Sequence, residues 1–231
     1  MVPYRWSGWS ESRISSTRWC EPQGMDDSYL TIKQPARHEI KVKGSRFIGE
    51  SFIAASPENA VALLEEVRKR EHAATHHCFA WQAGLFDERQ FKYSDDGEPS
   101  GTAGKPIYDV ICGRELDYVL LVVTRYFGGT KLGTGGLVRA YSETAQKVLD
   151  DSGWKRHYVM ALFQVTIDFS LYDPLMKLLH QHQATQDDAQ FTDRVRVVLA
   201  IRQSRAAEFE QAIVELSKGQ AEIEAIGTTQ R

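Results

Sequence analysis

The run Tyr118-Val119-Leu120-Leu121-Val122-Val123-Thr124 is the most strongly β-forming segment of the chain, and it leads straight into a stretch with glycine at 128, 129, 133, 135 and 136. Aliphatic and β-branched residues without interleaved polar ones suit a strand buried on both faces, so a central strand is expected here. After the glycines, Leu137, Ala140, Tyr141, Ala145 and Val148 recur at helical spacing, which predicts an amphipathic helix ending at Gly153. A central strand, a glycine-rich turn and a helix in that order set the fold class as α+β.

The flanking patterns agree. Ile40 and Val42 alternate with charges before Lys43-Gly44-Ser45, and Phe47 to Ile53 follow, which reads as a hairpin. Ser56 as a cap, Pro57 at the first helical position and Ala60, Leu64 and Val67 predict a helix, with Val61 and Leu63 widening its apolar stripe and Arg68-Lys69-Arg70 closing it. His77 to Ala83 alternates like a strand, and Ile107, Val110 and Ile111 share one helical face. From Tyr158 to Ile226 the order is strand, helix, strand, strand, helix, strand, the split βαβ arrangement of a ferredoxin-like domain. The reading is therefore of two domains, residues 25–153 and 158–226, after an extension (Met1 to Gly24) that has neither a period of 2 nor one of 3.6 and is expected to be disordered. Met25, followed by Asp26-Asp27-Ser28 and then by patterned sequence, is the expected natural start.

A net charge of −3 gives no global attraction to nucleic acid, so any such binding must come from a local basic patch. Cys20, Cys78 and Cys112 form no C-x-x-C pattern and suit reduced thiols. The apolar run Val119 to Val123 is too short to cross a bilayer, so a cytoplasmic protein without membrane contact is expected.

Two loops hold the candidate chemistry. Ser94 to Pro106 gathers Asp95, Asp96, Glu98, three glycines and Lys105 ahead of a helix. It is not a P-loop, because Pro99 stands where the first glycine is required and Pro106 where Ser or Thr should follow the lysine. The three acids either cap turns and the helix or hold a hard cation. Arg125 to Arg139 sets Arg125, Lys131 and Arg139 among Gly128, Gly129, Gly133, Gly135 and Gly136, an anion cradle at a helix start or a strained connection needing positive φ. The dinucleotide pattern fails at Val138. His72, His76, His77 and Cys78 suggest zinc, but the two spaced histidines fall across the end of a helix and Cys78 opposes His77 on a strand. No metal or cofactor is assigned.

Ser45-Arg46-Phe47-Ile48, His76-His77-Cys78, Ser94 to Pro106 and Arg125 through Tyr141 resemble the signature stretches of the IMPACT/YigZ family, across roughly residues 38–150, and the remainder resembles the smaller C-terminal domain of its bacterial members. The resemblance implies that the first domain has the fold of the second domain of a small-subunit ribosomal protein, and that the second is ferredoxin-like. It also implies a role near translation: eukaryotic relatives are regulators that bind a partner protein, and bacterial members are associated with nucleic acid or ribosome contact.

The resulting expectation is a non-catalytic binding or regulatory protein that meets RNA, the ribosome or a translation-related partner through the glycine-rich loop, supported by Lys43, Arg46 and Lys105. The alternative is a metal-dependent, phosphate-handling hydrolase in which Asp95, Asp96 and Glu98 hold the ion and His77 is the base. Oligomeric state is not written in the sequence.

Overall fold

A computed structural model describes residues 27–230. The extension Met1 to Gly24, the start at Met25 and Cys20 lie outside the described residues.

The first sheet has the order β2-β3-β6-β4-β5, formed by β2 (Ala36–Val42), β3 (Ser45–Ile53), β4 (His76–Ala83), β5 (Gln90–Ser94) and β6 (Val119–Tyr126), and all of its pairings are antiparallel. The strongly apolar strand β6 is its centre. Helices α2 (Gly104–Gly113) and α3 (Thr134–Ser152) pack on one face of this sheet, and α1 (Pro57–Arg70) covers the other. Burial on both faces explains why β4 does not alternate between exposed and buried: Cys78 and Ala80 belong to the core under α2 and α3, while Phe79, Trp81 and Ala83 join Leu64 and Val67 of α1. The cap and stripe expected of α1 are present, with Asn59 N–H donating to Ser56 Oγ at 3.2 Å and Ala60, Leu64 and Val67 buried. Val61 departs from the expectation at 49% exposure, because the single stripe of α1 already spans the strands it covers.

In the second sheet, β7 (Trp154–Ile167) lies between β9 (Val195–Arg202) and β10 (Glu222–Gln230), and β8 (Thr185–Phe191) pairs with the outer side of β9. With α4 (Tyr172–His182) and α5 (Ala206–Ser217) on one face, this is the ferredoxin-like order expected of the sequence. β1 (Ser28–Ile32) has a different partner from its chain neighbours: it pairs with Trp154–Tyr158 at the start of β7. Asp27 anchors that connection, accepting from Arg202 at 2.5 Å and from Ser204 Oγ at 2.5 Å. Among the described residues, no helix is long and apolar enough to cross a membrane.

Candidate functional site

β5 and β6 end at the same edge of the first sheet, where the acidic loop leaves Ser94 and the glycine-rich loop leaves Tyr126. The acids of the first loop are turned inward. Asp95 accepts backbone N–H groups from Gly101 (2.9 Å), Ala103 (2.9 Å) and Gly104 (2.8 Å), so it caps the start of α2 from outside the helix. Asp96 accepts the N–H of His77 at 2.6 Å and a guanidinium N–H of Arg68 at 3.3 Å. Glu98, with its side chain 4% exposed, pairs with Arg125 at 2.5 Å and accepts the Tyr141 hydroxyl at 2.8 Å.

These contacts correct the role expected of Arg125. It sits on a strand covered on both faces, where an unpaired charge would be strongly penalised, and Glu98 together with Ser45 Oγ at 3.4 Å supplies its partners. It ties the two loops together and has no free guanidinium face for a phosphate. Tyr141 is drawn into the same buried network, since the Cys78 sulfur lies 2.9 Å from the Asp95 carbonyl, to which its one S–H can donate, and 3.4 Å from the Tyr141 hydroxyl. Burial pushes the Cys78 thiol well above its usual range and the Tyr141 hydroxyl likewise, the latter helped by Cys78 and Glu98 beside it, so neither is an ionised nucleophile at neutral pH.

The residues of the hydrolase alternative are consumed in the same way. His77 holds its ring Nε2 3.2 Å from the Glu71 carbonyl, and His76 sets Nδ1 2.8 Å from the Asp96 carbonyl. Among the described residues no group of three or more His, Cys, Asp or Glu side chains is placed to hold a metal ion. The acidic loop is a device for fixing β4, β6, α2 and α3 against one another, and its carboxylates are not offered to a substrate.

The glycine-rich loop faces outward. Its glycines divide by physical need. Gly128 is required by packing, because a Cβ there would come within 1.9 Å of Gly44 in the hairpin turn. Gly129 (φ 86°) and Gly133 (φ 73°) are required by conformation. Gly135 is required by neither: its φ is not positive, and a Cβ would meet nothing within 4 Å. Gly133 stands before α3 with no side-chain cap and no acid in the first turn of the helix, which leaves the start of that helix positive and open.

The six candidate cations separate along the same line. Arg125 is buried, Arg46 lies over the Tyr126 ring at 4.4 Å and 3.9 Å from Glu39, and Lys105 pairs with Asp109 at 2.6 Å. Arg46 and Lys105 are therefore held by their own surroundings. Lys43, Lys131 and Arg139 are exposed and have no hydrogen bond or ion pair with any described residue. Glu143, one helical turn after Arg139, sits 3.9 Å from Lys147 instead. Lys43 is brought to the loop by the Gly44–Gly128 contact and lines one small cavity together with Arg139.

Lys43 also occupies the left-handed region, at φ 46°, in a two-residue turn whose second position is Gly44 at φ 83°. Such turns favour Asn or Gly at the first position, so a lysine here is held against its own backbone preference. Sequence reasoning missed Ser45 and Glu98 as the partners of Arg125, and Tyr141 as the further partner of Glu98. A tyrosine inside an apolar stripe was the available signal, since a buried hydroxyl needs a partner.

Residues 43–149 match the Impact N-terminal domain, and residues 165–220 match a Domain of unknown function (DUF1949). The chain is 33% identical to the IMPACT family member YvyE of Bacillus subtilis over 85% of its own length and 90% of that protein. It is 33% identical to the IMPACT family member YigZ of Escherichia coli over 87% of its length and 98% of that protein. A solved structure titled as that of a hypothetical protein superposes with a TM-score of 0.63 at 32% identity, covering 87% of this chain and 98% of the other.

Proposed function

This chain belongs to the IMPACT family, and from that premise we propose that it is a cytoplasmic, non-catalytic binding protein that docks an anionic surface of the translation machinery on its glycine-rich loop. The observation that carries the proposal is the contrast among its cations: Lys43, Lys131 and Arg139 stand around the loop with no partner among the described residues, while Arg46, Lys105 and Arg125 are held by other side chains. Three exposed cations beside an uncapped helix start attract phosphate or carboxylate groups at modest cost, because none must first break a native pair. Gly135 supports the same reading. Alanine would fit its site and favour the helix, so a glycine there gains its value from a partner that approaches the backbone closely.

Capture of partners from lysate by the immobilised protein, with and without RNase, tests this function. Ribosomal or other translation components should be retained by the unmutated protein and lost from a Lys43→Ala, Lys131→Ala, Arg139→Ala variant. Retention that does not change in the triple variant would overturn the proposal.

A further inference from the structure

Between the hairpin turn and α3 lies a cavity of about 210 Å³. Val42, Leu132, Gly136 and Ala140 give it an aliphatic floor, and Lys43 and Arg139 stand at its rim. Small-molecule and cofactor sites usually occupy about 300–1,000 Å³, so this volume suits a single anchoring side chain better than a whole cofactor. Among the described residues, no aromatic ring lines it. A nucleobase is ordinarily held by stacking on an aromatic or guanidinium plane; the lining offers one guanidinium, Arg139 at the rim, and no ring to close the sandwich, since the aromatic ring of the loop, Phe127, lies 5.4 Å from the Arg125 guanidinium and outside the lining. An aliphatic side chain, by contrast, gains directly from leaving water for such a floor.

The charges around the cavity narrow the partner further. Lys43 and Arg139 have no partner among the described residues, and Lys131 precedes the floor residue Leu132. The acid at the rim, Glu143, is 3.9 Å from Lys147. The field at the mouth of the cavity is therefore cationic on the side of the glycine-rich loop, and it complements carboxylates flanking the anchor.

Resting on the functional reading above, we propose that the cavity takes an aliphatic side chain from an acidic protein segment, whose carboxylates meet Lys43, Lys131 and Arg139. The class of partner is thus an acidic peptide with a Leu-like anchor, and RNA is the competing outcome.

The test uses the full chain and fluorescence anisotropy with three probes: a short labelled Asp/Glu-rich peptide with one central leucine, the same peptide with alanine in that place, and a labelled single-stranded oligouridine. The leucine peptide should bind at least about fivefold more tightly than the alanine peptide. Leu132→Asp should remove that difference, and Arg139→Glu should weaken both peptides about tenfold or more. Equal affinity for the leucine and alanine peptides overturns the inference. Oligouridine binding tighter than the leucine peptide also overturns it, while leaving the anionic docking surface standing; binding of none of the three probes overturns both. Because the leucine–alanine comparison is made on the unmutated protein, it decides the matter even if Leu132→Asp fails to fold.

Discussion

The acidic loop and the glycine-rich loop leave the same edge of one sheet, yet they dispose of their charges in opposite directions. In the acidic loop, Asp95, Asp96 and Glu98 are each met by donors from the surrounding structure, and the loop ends as a rigid clasp over β4 and β6. In the glycine-rich loop, Arg125 alone is drawn inward by Glu98, while Lys131 and Arg139, with Lys43 from the adjoining turn, stay in water. A cluster of charges in a loop is therefore a poor guide to function until its partners are counted. The acids, which by sequence could cap turns or hold a cation, are scaffold, and the arginine beside the glycines, expected as a phosphate contact, is scaffold too.

The largest expected effect breaks the clasp. Arg125→Met leaves Glu98 buried without its cation, and truncating one partner of a buried pair costs about 3–5 kcal/mol. Denaturant unfolding should show that loss, and a change below about 1 kcal/mol would mean that Glu98 finds water or another partner. Asp95→Ala removes the acceptor for three N–H groups at the start of α2, for a loss of about 0.5–2 kcal/mol. The melting temperatures of both the unmutated protein and this variant should be the same with Mg²⁺ and with chelator. A metal-dependent rise that the substitution abolishes would restore the metal site.

The outward loop should behave in the reverse sense. Lys43→Asn relieves a left-handed lysine and should raise stability by about 1 kcal/mol while weakening partner binding. Gly135→Ala should raise stability by up to about 1 kcal/mol, since the added methyl meets nothing, and should also weaken binding by obstructing the approach to the backbone. Parallel thermal melts and affinity measurements check both. Stability and affinity moving up together would remove the argument that these two residues are kept for a partner.

Local pattern made the elements legible and left the contacts between them hidden. The hairpin around Lys43-Gly44, the stripe of α1 and the strand–turn–helix from Val119 to Ser152 are short-range features, and each appears in the structure close to where its periodicity put it. β5 was not legible, because Gln90–Ser94 is short and runs into a loop whose polar residues dominated the reading. β1 was not legible either, since its partner in β7 lies far along the chain. The site divided in the same way. Lys43, Lys131 and Arg139 keep the exposure their turn and helix positions suggest, whereas the Glu98–Arg125 pair and the Tyr141 hydroxyl depend on a meeting of separate elements that no spacing encodes.

The central claim is that the unpaired cations bind and the paired ones do not. Cosedimentation with ribosomes across a range of salt concentrations, for the unmutated protein, Lys131→Ala, Arg139→Ala and Lys105→Ala, tests it most directly. None of the three substitutions should change stability by more than about 0.5 kcal/mol, because all three side chains are exposed. If the contacts are to RNA phosphate, Lys131→Ala and Arg139→Ala should each reduce the log–log salt slope by about 0.7–1; contacts to an acidic protein should still weaken binding and its salt dependence. Lys105→Ala, whose lysine is held by Asp109, should match the unmutated protein. No sedimentation of the unmutated protein at low salt, or an equal loss in the Lys105→Ala control, would contradict the account.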